Sequence, residues 1–155
     1  MFEKFKPFVG RKTDANYFWP VTPSQVQEAE GRLGYSFPDE LRAFYREIGA
    51  GFFERGANDT GRELYVVNRI VPPNEVADMV LDPLHAARPG EGFAPGAVPF
   101  FDLGERNYLI LFPSASHPNR VFKCDGHTVV SDDLVEFFDK LFVSADFYRR
   151  TRDRK

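Results

Sequence analysis

The chain reads as a single α+β domain, a mainly antiparallel β-sheet meander packed by flanking helices, and three observations predict it. Two capped, amphipathic helical patterns fill residues 23–48. Four short strand patterns then follow one another between 97 and 130, separated by turn residues, and a wide apolar helical stripe follows residue 131. Strands grouped together, with helices to either side, favour antiparallel pairing over a parallel sheet.

The length of 155 residues suits one domain able to bury a hydrophobic core. Seventeen Phe, six Tyr and one Trp imply a core built largely from rings. Residues 1–20 hold Phe2, Phe5, Phe8, Tyr17, Phe18 and Trp19 without clear periodicity, and they are expected to form an N-terminal segment that docks on the body. The domain proper is expected over 21–148, with a basic tail at 149–155.

The first firm helix is expected over about 23–33. Thr22 is a good N-cap, Pro23 fits the first helical position, and Gln25 completes a capping box. Val21 and Val26 can staple the entry, Val26, Ala29 and Leu33 share a face, and Gly34 is a natural stop. A second helix, over 38–48, starts at Pro38 with Asp39 and Glu40 near the positive end of its dipole. Leu41, Phe44, Tyr45 and Ile48 form its apolar stripe. Gly49-Ala50-Gly51 is then expected to turn the chain. Leu64-Tyr65-Val66-Val67 reads as a strand, Pro72-Pro73 as its break, and Asn74 as the cap of a short helix ending near Leu81. The stretch 89–96, rich in Gly and Pro, reads as loop.

Strands are expected at about 97–101, 108–112, 120–124 and 127–130. The first two flank a turn at Gly104-Glu105-Arg106-Asn107, and the last two flank Asp125-Gly126, a pair preferred in two-residue type I′ hairpins. Ser131 is expected to cap a helix over 132–142 whose stripe is Leu134, Phe137, Phe138, Leu141 and Phe142.

Charge is unevenly spread. Residues 1–14 and 149–155 are net basic, whereas 15–148 hold 11 basic and 20 acidic residues, a net of −9. Such a body repels nucleic acid and attracts basic partners. No apolar run approaches the roughly 20 residues of a membrane span, and no apolar leader-like run follows Met1, so a cytoplasmic protein without membrane contact is expected. The lone Cys124 agrees with a reducing compartment.

The series Val21-Thr22-Pro23, Ala29-Glu30, Leu33-Gly34, Phe37-Pro38-Asp39-Glu40-Leu41, Phe44-Tyr45 and Ile48-Gly49 resembles the opening signature of the SUKH superfamily. Ile70-Val71-Pro72, the run Val98-Pro99-Phe100-Phe101-Asp102-Leu103-Gly104, Val121-Phe122 and the Phe-rich last helix follow in matching order, over about residues 20–142. Two departures stand out. Gly49-Ala50-Gly51 replaces an Asn-Gly-Gly-like turn, and Phe37 stands where Leu or Ile is common. The resemblance implies a scaffold that recognises proteins, as in the Smi/Knr-type cell-wall regulators and many bacterial immunity proteins, whose partners are often toxin domains.

Candidate chemistry is thin. Cys124 and His127 flank the predicted Asp125-Gly126 turn, where an imidazole could activate a thiol, but no third orienting group is evident. His85 and His117 lack metal-ligand spacing. Asp102 and Glu105, with Glu54, Asp59 and Glu63 on an earlier loop, are better read as acidic contacts for a basic protein than as paired catalytic carboxylates. The expectation is therefore a protein-binding module without catalytic residues, cofactor or metal. Its leading partner is a basic toxin domain such as a nuclease, with an endogenous regulatory partner as the alternative.

Overall fold

The computed structural model describes residues 1–11, 16–53, 67–82 and 93–148. Among these, a 3₁₀ helix (Glu3–Phe8) precedes β1 (Tyr17–Trp19), α1 (Pro23–Leu33), α2 (Asp39–Glu47), β2 (Ala50–Phe52), β3 (Arg69–Ile70) and α3 (Pro73–Leu81). Then come β4 (Val98–Gly104), β5 (Asn107–Leu111), β6 (Val121–Lys123), β7 (Val129–Ser131) and α4 (Leu134–Val143). The described strands make one seven-stranded sheet in chain order, and every neighbouring pair is antiparallel.

Local chemistry explains the helix ends. Thr22 accepts from the Gln25 backbone N–H at 3.2 Å and the Gln25 side chain accepts from Thr22 N–H at 2.9 Å, so the expected capping box forms. Gly34 ends α1 with φ +84°, a left-handed position that costs glycine little. Two expected caps are corrected. Asn74 lies inside α3, which starts at Pro73 with Pro72 as its N-cap, because proline at the first position needs no N–H partner. Ser131 is the last residue of β7, and Asp133 caps α4 by accepting from Glu136 N–H at 2.7 Å.

The front of the sheet is where expectation and structure differ most. Ala50-Gly51 does not turn the chain but begins β2, and β1 and β3 also join the sheet. Of the strand expected at 64–67, residues 64–66 lie outside the described residues, and Val67 precedes β3 without belonging to it. The hairpins also exchange roles. Glu105 (φ +54°) and Arg106 (φ +59°) form the two-residue turn, closed by the Gly104–Asn107 pair. Asp125-Gly126 instead sits in a four-residue loop closed by Lys123 N–H to Thr128 C=O at 2.9 Å. There the Asp125 carboxylate accepts from His127 N–H and Thr128 N–H.

Cross-strand partners share a face of the sheet, so the register defines two adjacent rows. One runs Phe18–Gly51–Ile70–Phe101–Leu109, and all its side-chain-bearing members are fully buried. Gly51 is obligatory here. A Cβ would stand 2.1 Å from the Tyr17 carbonyl oxygen and 2.7 Å from Phe18 Cα, both backbone atoms that cannot retreat. Against this inner row pack α2, α4 and the 3₁₀ helix. Phe138 stacks on Phe44 (4.4 Å) and Phe53 (5.3 Å), while Phe2 and Phe5 meet Phe44 and Phe138 edge-on. A bulge in β4 after Pro99 lets both Phe100 and Phe101 reach the Phe137 ring, at 5.7 and 5.1 Å. On the helical side, α1 packs mainly on α3, tied by Arg32 to Asp78.

Candidate functional site

The neighbouring row, one residue along each of β1 to β5, runs Tyr17–Phe52–Arg69–Asp102–Tyr108. It alternates with the buried row, every member is partly exposed, and Tyr108 also packs against the core. Trp19 sits two residues from Tyr17 on the same face. The rings of Tyr17 and Trp19 are 5.5 Å apart, and those of Trp19 and Phe52 are 6.1 Å apart. At the other end of the row Tyr108 meets Phe93 edge-on at 5.9 Å.

Between these aromatic ends sits an ion-pair cluster. The Arg69 guanidinium donates to Glu75 Oε2 at 2.6 Å and to Asp102 Oδ2 at 3.1 Å, bridging α3 to β4. Burial alone would disfavour its charge. The hydrogen bonds to Glu75 and Asp102 outweigh that, and the group is held protonated more firmly than a free arginine. Burial also raises the Tyr108 hydroxyl pKa, and the Asp102 charge adds to the effect. The second carboxylate oxygen of Asp102 accepts from Gly104 N–H at 2.8 Å, so Asp102 anchors the base of the β4–β5 hairpin. Its side chain is only 15% exposed.

The sequence-predicted site residues thus separate. Glu105 is exposed at the hairpin tip, Asp102 is an anchored member of the row, and Glu54, Asp59 and Glu63 lie outside the described residues. Arg69 and the ring group of Tyr17, Trp19 and Phe52 had not been singled out. A signal existed in Tyr17-x-Trp19, where alternate aromatics have the period of a strand with one face half-buried.

The structure does not place Cys124 and His127 opposite each other across two strands. Both are exposed in the four-residue loop, and the Cys124 thiol lies 3.5 Å from the Asn107 side-chain oxygen. His117 is exposed in a turn, and His85 lies outside the described residues. Among the described residues no group of three or more His, Cys, Asp or Glu could hold a metal ion. No helix among them is long and apolar enough to cross a membrane.

The sequence model of the SMI1/KNR4 family (SUKH-1) matches residues 20–140. The chain belongs to that family. The match runs from just before α1 to within α4, so it takes in both rows of the sheet from β2 onward and leaves β1 as an addition in front. A protein described as immunity protein YxxD, from Bacillus subtilis (strain 168), is 38% identical over 66 residues, covering 43% of this chain and 40% of that protein. The chain therefore aligns with less than half the length of this relative. No solved structure matches the chain significantly. Family membership confirms the sequence resemblance, and the antiparallel sheet with flanking helices confirms the α+β expectation.

Proposed function

We propose that this SUKH-1 family member is an immunity protein that binds a toxin domain and neutralises it by covering a surface the toxin needs. The observation that carries the reading is the 38% identity to a protein described as an immunity protein, within a family match spanning residues 20–140. The geometry favours binding over catalysis. Both carboxylates nearest the centre of the exposed row, Glu75 and Asp102, are paired with Arg69, and the exposed thiol is directed to the Asn107 side-chain oxygen. Aromatic residues and arginine on a half-exposed face are the composition that anchors protein interfaces. The net charge of −9 over residues 15–148 suits a basic partner, and a nuclease domain, which must meet phosphate, has such a surface. The reading places the protein in the cytoplasm, where it would meet the toxin.

Stoichiometry separates a binder from a catalyst. With a toxin domain encoded beside the gene, growth of a bacterial host expressing the toxin should be rescued by co-expression. In vitro, toxin activity should fall linearly to zero at one equivalent of this protein. Neutralisation by far less than one equivalent would make it an enzyme acting on the toxin, and absence of rescue would overturn the immunity role.

A further inference from the structure

We propose that Asn68 is a buried latch that couples the C-terminal segment 144–148 to the Phe53–Asn68 end of the β2–β3 ladder, so that the two open together while the rest of the sheet stays closed. Such a latch does not rest on the immunity reading. The pairs Gly51–Ile70 and Phe52–Arg69 are continued by Phe53 N–H, which donates to Asn68 C=O at 2.8 Å. The ladder stops there because Asn68 leaves the extended conformation with φ +45°, a left-handed position that asparagine tolerates better than most residues. Asn68 is fully buried. Its Nδ2 donates to Ala145 C=O at 2.7 Å, and its Oδ1 accepts from the Tyr148 hydroxyl at 2.8 Å. A carbonyl can only accept, so the Ala145 bond fixes which end of the amide faces which partner.

Three stretches far apart in the chain therefore meet at one residue: the end of β2, the entry to β3 and the segment that follows α4. Ala145 and Tyr148 are buried with it, and the Phe147 ring reaches Phe137 of α4 at 5.6 Å. Among the described residues the buried polar or charged ones are Asn68, Ser131 and Asp146, so two of the three belong to this junction. A buried amide that loses one partner costs more than the lost bond had contributed. Without the Tyr148 hydroxyl, Asn68 Oδ1 regains a partner by turning to water, and that movement parts Asn68 from Ala145 and Phe53 together. The pair Phe53–Asn68 also brackets, in sequence, the acidic residues Glu54, Asp59 and Glu63.

Hydrogen exchange of single backbone amides in the folded protein, followed by NMR, tests the coupling. Phe53 N–H reports the ladder end. Phe147 N–H, bonded to Ser144 C=O at 3.1 Å, reports the C-terminal segment, and Val71 N–H, bonded to Phe100 C=O at 2.9 Å, reports the sheet beyond. Tyr148→Phe removes only a hydroxyl far from Phe53 in the chain. It should speed exchange at both Phe53 and Phe147 by about five- to ten-fold and leave Val71 unchanged. Asn68→Gly keeps access to the left-handed conformation while removing the amide, and should speed both at least as much. Faster exchange at only one of Phe53 and Phe147 would show two independent contacts and overturn the coupling. An equal rise at all three amides would mean destabilisation of the whole fold and would overturn it too, as would wild-type rates at all three.

Discussion

The two rows of the central sheet are built on the same strands, one residue apart, and they have opposite chemistry. Phe18, Ile70, Phe101 and Leu109 are fully buried; Phe18 meets the Phe44 ring of α2 and Phe101 the Phe137 ring of α4. Tyr17, Phe52, Arg69, Asp102 and Tyr108 are partly open, aromatic at the ends and ionic in the middle. A strand's side chains alternate between faces, so a single backbone satisfies both sets at once. The inner row can be chosen for packing alone, which leaves the outer row free to be chosen for contact.

Substitutions in the inner set should test that division most severely. Phe138→Ala removes a ring that stacks on Phe44 and Phe53 and meets Phe2 and Phe5, and should cost about 3–5 kcal/mol in urea unfolding. A loss below about 1 kcal/mol would mean the core is not organised around this ring. Gly51→Ala should cost about 3 kcal/mol, because the new methyl meets the β1 backbone and must part β1 from β2. Tolerance of alanine there would show that β1 is not paired as described.

On the outer row the expected cost is smaller and of another kind. Arg69→Met leaves Glu75 and Asp102 facing each other without their shared cation and should cost about 2 kcal/mol. A loss of stability equal to that of Phe138→Ala would erase the distinction between the faces.

The finest probe is a half-buried carboxylate on the helical side. Burial raises the Glu40 pKa above the usual carboxylate value, even though Glu40 accepts a hydrogen bond from Val135 N–H at 2.9 Å at the start of α4. A raised carboxyl pKa means that the folded state binds the proton more tightly than the unfolded chain. Its ionised form therefore destabilises the fold at neutral pH, and that penalty fades as pH falls through the raised value towards the ordinary 4.5. The stability difference between wild type and Glu40→Gln should shift in favour of wild type over that interval. A shift in the opposite direction, measured by thermal unfolding at several pH values, would show that the Val135 hydrogen bond outweighs burial.

The elements most legible in sequence were those whose signals are local. The capping box of α1, the apolar stripes of α2 and α4, and the later meander all follow from spacing within a few residues. Strands β1, β2 and β3 were not legible because, unlike the equally short β6 and β7, they are not set off by a local hairpin turn. Their pairing depends on partners far away in the chain. The two β-turns exchanged roles for a related reason. Asp125 uses its side chain to hold a longer loop, whereas Glu105–Arg106 is held in a tight turn by the register of β4 and β5. The outer row was invisible for the same reason as the front strands, since only register brings Tyr17, Arg69 and Asp102 together.

The central claim is that the outer face makes the contact while the inner face makes the fold. The lone tryptophan allows a direct measurement. Protein labelled with 5-fluorotryptophan should give one ¹⁹F resonance, from Trp19. Under the proposed immunity role, addition of the partner toxin domain should move or broaden that resonance and saturate at one equivalent. A complex that forms at full strength, as judged by size, while the Trp19 resonance stays in place would contradict the account.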